Sequence, residues 1–305
     1  PREHDLIIGT FGRAAWILDD IRPLREIAND PSLTNRLFKL FSPPDSYLAS
    51  IQQPTGSRFG GDAIFNGTNR TFGAQIKYFF NPDSIKFKDI NKDSISLKIY
   101  DNDRLIRTLK KKSPKKKGLH KIIWNMDEKG PNYPTRKIKK IKREASGVIV
   151  KPGNYKLVME IGEFVDEKWI NIKSDPRLNI SNKSIEESYE SAKNIENMIK
   201  IVFEASNQLA KSLIIVKDFE KLLSKEDTLK YKNEIKLTSE ISNKIIKAQD
   251  LFFGKEDERQ GIIRSPNETV LSRIRKAYYY SVSRPNGLTK TEKILIKQAK
   301  DQLKS

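Results

Sequence analysis

The most constraining feature of the sequence is a pair of short apolar segments near its beginning. Residues 6–8 and 15–18 are apolar, and Gly9 and Gly12 lie between them, so the pattern predicts a β-hairpin over residues 4–20. A hairpin that pairs with no further strand is marginally stable in water. We therefore expect its remaining backbone partners to be encoded outside this sequence, which would make the chain the C-terminal part of a longer protein.

The composition excludes several classes of site. Cysteine is absent, which excludes disulfides, thiolate zinc sites and cysteine nucleophiles. The two histidines, His4 and His120, lie in different predicted modules, which argues against a shared metal or acid–base site. Hydrophobic residues make up 37% of the 305 residues and charged residues 32%, a balance typical of small modules with much solvated surface. No apolar run reaches the roughly 18 residues of a membrane-spanning helix, so we expect no transmembrane segment.

Residues 73–175 show the pattern of several short strands separated by turns. Residues 94–100 alternate polar and apolar side chains with a period of two, as in a half-buried strand. The Asp-Asn-Asp sequence of residues 101–103 and the Lys-Pro-Gly-Asn sequence of residues 151–154 are typical of turns. This spacing favours an immunoglobulin-like antiparallel β-sandwich.

Beyond residue 176 the period of the apolar residues becomes that of a helix. Apolar side chains follow one helical stripe over residues 185–213 and a second over residues 241–252. Thr289 and Glu292 have the spacing of a capping box in front of a last, shorter helix. The pattern predicts an α-helical bundle.

These segments, taken in order, resemble the C-terminal region of bacterial BNR-repeat or sortilin-like, glycosyl-hydrolase-like β-propeller proteins. The hairpin is similar to the closing strands of the propeller, and a Gly- and Asn-rich loop, a sandwich and a helical tail follow in the family's order. The residues that carry the resemblance are 5–13, 15–20, 66–69, 73–78, 97–101, 107–109, 150–155, 175–177 and 283–303.

The resemblance implies a mixed multidomain chain in which terminal β-propeller strands precede the immunoglobulin-like sandwich and the helical bundle. It also implies a place in the cell envelope or outside the cell, in the periplasm or at the outer-membrane surface. The predicted domains are the last propeller-blade strands and a linker (1–50), a Gly/Asn-rich covering loop (51–72), the sandwich (73–175) and the bundle (176–305).

Two features depart from the family pattern. The Lys-rich segments at residues 110–117 and 136–143 exceed what the family leads us to expect, and the Asp-box signature of propeller blades is absent from the sequence. Because the hydrolase label of the family is itself an analogy of fold, no catalytic residue is carried over to this chain.

The strongest charge signal lies between Arg104 and Arg143. This segment holds sixteen Lys or Arg residues against Asp127 and Glu128, whereas the net charge of the whole chain is +19. Three interpretations stay open: solvated loop tips, contact with an anionic envelope polymer such as anionic lipid or polysaccharide, and binding of nucleic-acid phosphates. Few aromatic residues interleave with the lysines, so base stacking is poorly supported. The predicted anion-binding residues are Lys110, Lys111, Lys112, Lys115, Lys116, Lys117, Arg136, Lys137, Lys139, Lys140, Lys142 and Arg143.

A second candidate surface is the run Tyr278, Tyr279 and Tyr280. Three consecutive aromatic residues on a helix cannot all face one core, so at least one of them is expected to be exposed. The apolar stripes are best interpreted as the core of the bundle, and partner docking by this tyrosine run is the alternative interpretation.

No pattern indicates catalytic, metal-binding or cofactor-binding residues. Asp19 and Asp20 are adjacent and would point to opposite faces of a strand, whereas paired glycosidase carboxylates lie roughly 5–9.5 Å apart across a sugar. Residues 9–13 contain two glycines but lack the Gly-Lys-Ser/Thr ending of a phosphate loop. We expect no cofactor.

Three functional hypotheses follow. The first is a non-catalytic structural and docking region of a large cell-envelope or secreted β-propeller protein that binds protein or glycan partners. In it, residues 4–20 pair with an upstream part of the same protein or with another chain. The second is the supporting region of a propeller glycoside hydrolase whose active site lies upstream. The third, least favoured, is nucleic-acid binding through the Lys-rich loops.

Overall fold

The computed structural model divides the chain into two compact units. The first comprises Pro1–Glu128 and Ile149–Asn179, and the second comprises Lys129–Val148 and Ile180–Ser305. The structure describes residues 4–12, 15–49, 71–84, 94–225, 230–255, 268–282 and 287–304. The predicted covering loop lies almost wholly outside the described residues.

The first unit begins with the predicted hairpin. Strands β1 (Leu6–Gly9) and β2 (Ala15–Leu18) pair antiparallel, with Leu6 opposite Leu18 and Ile8 opposite Trp16. They form a two-stranded sheet of their own, and neither pairs with another strand in the described part of the chain.

A short helical connection follows the hairpin. Helix α1 (Arg22–Asn29) has Pro23 in its first turn, where the missing N–H of proline costs no helical hydrogen bond. It ends before a 3₁₀ turn (Pro31–Asn35) in which Asp30 accepts a hydrogen bond from the Ser32 backbone N–H at 3.1 Å. The Asp30 side chain thereby caps the turn.

The remaining strands of the first unit form two sheets. One has the order β3 (Phe38–Leu40), β5 (Ala74–Phe80) and β8 (Gly118–Trp124). The other has the order β4 (Ser46–Leu48), β12 (Phe164–Ser174), β11 (Gly153–Ile161), β6 (Ser94–Asp101) and β7 (Arg104–Lys112). Strand β4 runs parallel to β12, and every other pairing in these two sheets is antiparallel.

Both sheets contribute to one apolar core. Strands β6 and β11 bury alternate residues, among them Ile99 and Leu157, which lie directly opposite each other. Trp124 on β8 is fully buried, and its indole N–H donates to the Asp127 carbonyl oxygen at 2.8 Å. The core therefore satisfies its largest polar-tipped side chain internally.

The predicted fold class is wrong. The described residues show no propeller, since β1 and β2 join no further strand. Strands β3 and β4, which fall in the segment predicted as propeller strands and linker, belong to the two core sheets, and the parallel β4–β12 pair makes the larger sheet mixed. The structure is instead a mixed strand-rich region with a curled half-barrel sheet, followed by helices. Local turn signals could not reveal the β4–β12 pairing, because more than a hundred residues separate the two strands.

Strands β9 (Asp127–Gly130) and β10 (Ala145–Ile149) form a separate two-stranded sheet. A Cβ atom on Gly130 would lie 2.2 Å from the Ser146 carbonyl oxygen, so the two backbones can approach this closely because residue 130 is glycine. Residues 131–144 form the loop between these strands.

The second unit contains four further helices: α2 (Asn182–Leu223), α3 (Lys232–Phe253), α4 (Val270–Val282) and α5 (Lys290–Lys304). The Ser181 hydroxyl caps α2 by accepting from the Ser184 backbone N–H at 3.1 Å. Glu292 accepts from the Thr289 backbone N–H, which confirms the predicted capping box in front of α5.

The helices pack around a small apolar cluster. Ile195 and Val202 of α2 lie with Ile274 and Ala277 of α4 and Ala299 of α5, and all five are buried. Helix α2 also packs against α3, and these two helices bury small side chains such as Ala210 and Ser242. None of the described helices is both long and apolar enough to cross a membrane.

Candidate docking surfaces

The two short strands of the hairpin expose an unusually large number of apolar side chains. We call it the hairpin surface, and its residues are Leu6, Ile7, Ile8, Trp16, Ile17 and Leu18. All six are exposed, with exposed fractions of 67% for Ile7, 65% for Trp16 and 64% for Ile17. Scattered exposed apolar residues are ordinary, whereas contiguous exposed apolar groups are characteristic of interaction sites.

Both faces of this hairpin are apolar. Directly opposite residues share a face, so Leu6, Ile8, Trp16 and Leu18 lie on one side of the two-stranded sheet and Ile7 and Ile17 on the other. A hairpin at the edge of an ordinary antiparallel sheet has one apolar and one polar face. A hairpin with two apolar faces is suited to burial on both sides.

The base of the hairpin is held in place. The Asp5 carboxylate accepts from the Asp20 backbone N–H at 2.8 Å, and the Arg22 Nε donates to the Asp20 carboxylate at 2.6 Å. Lys77 on β5 donates through its Nζ to the Asp20 carbonyl oxygen at 2.8 Å and to the Asp19 carbonyl oxygen. These contacts fix the point from which β1 and β2 project, while the strands themselves stay exposed.

Strand β7 carries the first group of predicted anion-binding lysines. Lys110, Lys111 and Lys112 are exposed and lie at the end of the edge strand of the five-stranded sheet. Lys115, Lys116 and Lys117 follow in the exposed turn before β8. Lysines on an edge strand also protect it from pairing with other chains, which gives this group a structural role as well.

The loop between β9 and β10 carries the second group. Lys137, Lys139, Lys140, Lys142 and Arg143 are all exposed, so the structure brings five of the six predicted cations of this segment to the surface. Two exposed isoleucines, Ile138 and Ile141, stand between them. We call residues 137–143 the cationic loop.

Arg136, the remaining predicted cation, is engaged within the second unit. Its Nη2 lies 2.9 Å from the Asp250 carboxylate and also donates to the Gly254 carbonyl oxygen, and its guanidinium lies 5.4 Å from the centroid of the Phe253 ring. Gln249 donates to the Arg136 carbonyl oxygen at 3.1 Å. Arg136 therefore anchors the cationic loop to α3.

The tyrosine run is divided between core and surface. Tyr278 packs against the apolar cluster of the helices, whereas Tyr279 and Tyr280 are exposed, with ring centroids 5.5 Å apart. The geometry leaves Tyr279 and Tyr280 accessible to a partner.

Two surfaces were not found from the sequence. The second half of α2 exposes Ile215, Phe219 and Leu222, at offsets of four and seven residues that could have been recognised as a second helical stripe. The other is an open depression of about 550 Å³ lined by Tyr133, Phe252, Phe253 and Arg275. Its walls come from segments far apart in sequence, so no local pattern could indicate it.

The titratable groups of the described residues include two tyrosines whose pKa is raised by burial. No group of three or more His, Asp or Glu residues there is arranged to hold a metal ion. Burial raises the pKa of Tyr78 to about 12 in the core, and it also raises the pKa of Tyr133, against the opposing effect of Arg275. These shifts arise because burial disfavours the charged tyrosinate form of each side chain.

Comparison with known proteins adds no assignment, because no protein-family model, curated protein or solved structure matches this chain. The resemblance to sortilin-like proteins stays a prediction.

Proposed function

We propose that this chain is a non-catalytic docking region of a cell-envelope or secreted protein, and that the hairpin surface is its main binding element. The observation that carries the proposal is the exposure of six large apolar side chains on both faces of β1 and β2. Leaving such side chains in water forgoes roughly 1.5–3 kcal/mol for each one that a partner could bury completely.

The partner that fits this surface is a β-structured protein segment. The outer edges of β1 and β2 carry backbone donors and acceptors that another strand can pair with, as in recognition by strand addition. The two apolar faces require apolar side chains from above and below. The proposed segment belongs to another chain or to a further part of the same polypeptide.

Site-specific photo-crosslinking in the source cells tests this proposal. A photoreactive phenylalanine analogue replaces Ile17 in one variant and Val165 in a control variant, because Val165 is also an exposed strand residue of the first unit, with an exposed fraction of 58%. We expect position 17 to react with one defined strand-bearing segment, mapped by peptide mass spectrometry, and position 165 not to react with it.

The proposal is contradicted if both positions give the same mixture of adducts, because that result would show random collisions. It is also contradicted if position 17 reacts solely within residues 21–305 of its own chain.

A second candidate function is binding of an anionic polymer by the cationic segments. The exposure of eleven of the twelve predicted cations favours it. Retention on immobilised heparin tests it: we expect elution at lower salt when Lys110, Lys111, Lys112, Lys115 and Lys116 are replaced by Gln, or when the five cations of the cationic loop are. Unchanged elution of both variants would exclude this function.

A further inference from the structure

We propose that the cationic loop binds the surface of an anionic lipid bilayer by inserting Ile138 and Ile141 between the lipid headgroups. The proposal rests on the second candidate function, anion binding by the cationic segments, and names the anion. It concerns contact with a membrane surface.

The composition of the loop fits a surface that is both charged and apolar. Five cations and no carboxylate lie within residues 137–143, and the two isoleucines between them are exposed to 45% and 55%. Each cation close to an anionic bilayer raises the affinity roughly fivefold, and aliphatic side chains gain further by entering the interface between headgroups and acyl chains. A polysaccharide or a nucleic-acid backbone attracts the cations in the same way, but it has no apolar layer in which the isoleucine side chains could be buried.

The lysines of β7 and the turn after it provide an internal comparison. Residues 110–117 hold six lysines, with Ser113 and Pro114 between the two groups of three. No large apolar side chain interrupts this run. We expect a soluble polyanion to bind either segment, whereas an anionic bilayer should bind the cationic loop more tightly than residues 110–117.

The structure also holds the ends of the loop. Arg136 pairs with Asp250 at 2.9 Å on one side, and on the other Lys129 lies 3.7 Å from the Glu144 carboxylate. Beside Arg136, the Thr135 hydroxyl donates to the Lys137 carbonyl oxygen at 2.7 Å. The contacts of Arg136 thus hold the first end of the cationic loop against α3, and the Lys129–Glu144 pair lies at its other end.

Vesicle co-sedimentation with the 305-residue chain tests the inference. The vesicles contain either phosphatidylcholine alone or equal parts of phosphatidylglycerol and phosphatidylcholine, and immobilised heparin serves as the anion without an apolar layer. Three variants are compared: Ile138→Ser with Ile141→Ser; Gln at all five cations of the cationic loop; and, as a control with the same loss of charge, Gln at Lys110, Lys111, Lys112, Lys115 and Lys116.

We expect the wild-type chain to bind the phosphatidylglycerol vesicles and not those of phosphatidylcholine alone. The Ile double variant should bind these vesicles about tenfold more weakly while keeping its retention on heparin. The variant with Gln at the five cations of the cationic loop should lose binding to the vesicles and elute from heparin at lower salt, and the control should keep most of its vesicle binding. All substituted side chains are exposed, so circular dichroism should show an unchanged fold.

Other outcomes overturn the inference in distinguishable ways. Vesicle binding that is unaffected by the Ile substitutions, or equally weakened in the control, would show attraction by charge alone. Binding to heparin without binding to vesicles would exclude the lipid inference but leave the second candidate function standing. Binding to neither would exclude both.

Discussion

The hairpins β1–β2 and β11–β12 belong to the same unit but differ in whether their apolar side chains are buried. Strand β11 alternates, so that Leu157 and Met159 are buried while Val158 between them is only half-buried. Strands β1 and β2 do not alternate: apolar side chains occupy both faces, and all of them are exposed. Alternation lets a hairpin bury one apolar face in a core within its own chain, whereas the described residues bury neither apolar face of β1–β2.

The two hairpins are nevertheless followed by the same local device. An Asp-x-Arg sequence comes after each, at residues 20–22 and 175–177. In each case the Arg Nε donates to the Asp carboxylate, at 2.6 Å after β2 and at 2.9 Å after β12. The ends of the hairpins are therefore built alike, and the contrast lies in their faces.

Matched Ile→Ala substitutions in the two hairpins test this contrast, and they should give the largest effect of the experiments proposed, a difference in the free energy of unfolding. Ile161 on β11 is fully buried, so Ile161→Ala should lower the free energy of unfolding by about 2–5 kcal/mol. Ile17→Ala, at an exposed position, should change it by no more than about 0.5 kcal/mol. Chemical denaturation followed by tryptophan fluorescence measures both, because Trp16, Trp124 and Trp169 all lie in the first unit.

Ile7→Ala is the control for Ile17→Ala, since Ile7 lies directly opposite on the same face. A loss of 2 kcal/mol or more in either hairpin variant would mean that β1–β2 already packs against the rest of the unit. The comparison between the two hairpins would then fail.

The contrast also explains what the sequence could and could not predict. Local sequence patterns predict some elements correctly. Alternation predicts the strand at Ser94–Asp101, and the capping box predicts the helix at Lys290–Lys304. Pairings between distant segments, such as β4 with β12, leave no local trace and were missed. Helical geometry predicted that at least one residue of the tyrosine run is exposed, and Tyr279 and Tyr280 both are. The depression near Tyr133 depends on tertiary contacts.

Amide hydrogen exchange sharpens the comparison along the backbone. Strand β11 is paired on both sides, with β12 and β6, so its amides should exchange only when the unit unfolds. The amides of β1 and β2 should exchange faster by more than about a thousandfold, because opening a two-stranded sheet disrupts no core. Mass spectrometry of peptic fragments measures both regions in one sample, and equal protection would contradict the proposal that the hairpin awaits a partner.

The smallest expected effect concerns the device that ends β12. The Arg177 guanidinium, bound to both carboxylate oxygens, holds the pKa of Asp175 down to about 2. Because the pKa is lower in the folded state than in the unfolded chain, this pair stabilises the fold above about pH 4, and its contribution disappears as the pH falls towards 2. Arg177→Gln should raise the pKa of Asp175 towards its ordinary value. It should weaken the fold at pH values above about 4 and have little effect near pH 2.

Carbon-detected NMR titration of the Asp175 carboxyl group measures this shift, and Arg177→Lys is the matched variant. Lys keeps the positive charge but cannot donate to both carboxylate oxygens in the geometry of the Arg fork, so the pKa of Asp175 should fall between those of the wild type and Arg177→Gln. An unchanged pKa in Arg177→Gln would show that the backbone N–H of residue 177, which donates to the Asp175 carboxylate at 3.0 Å, is sufficient by itself. The Asp-x-Arg sequence would then act through a backbone turn. The ends of the two hairpins would resemble each other in their backbone conformation and not in the Arg side chain.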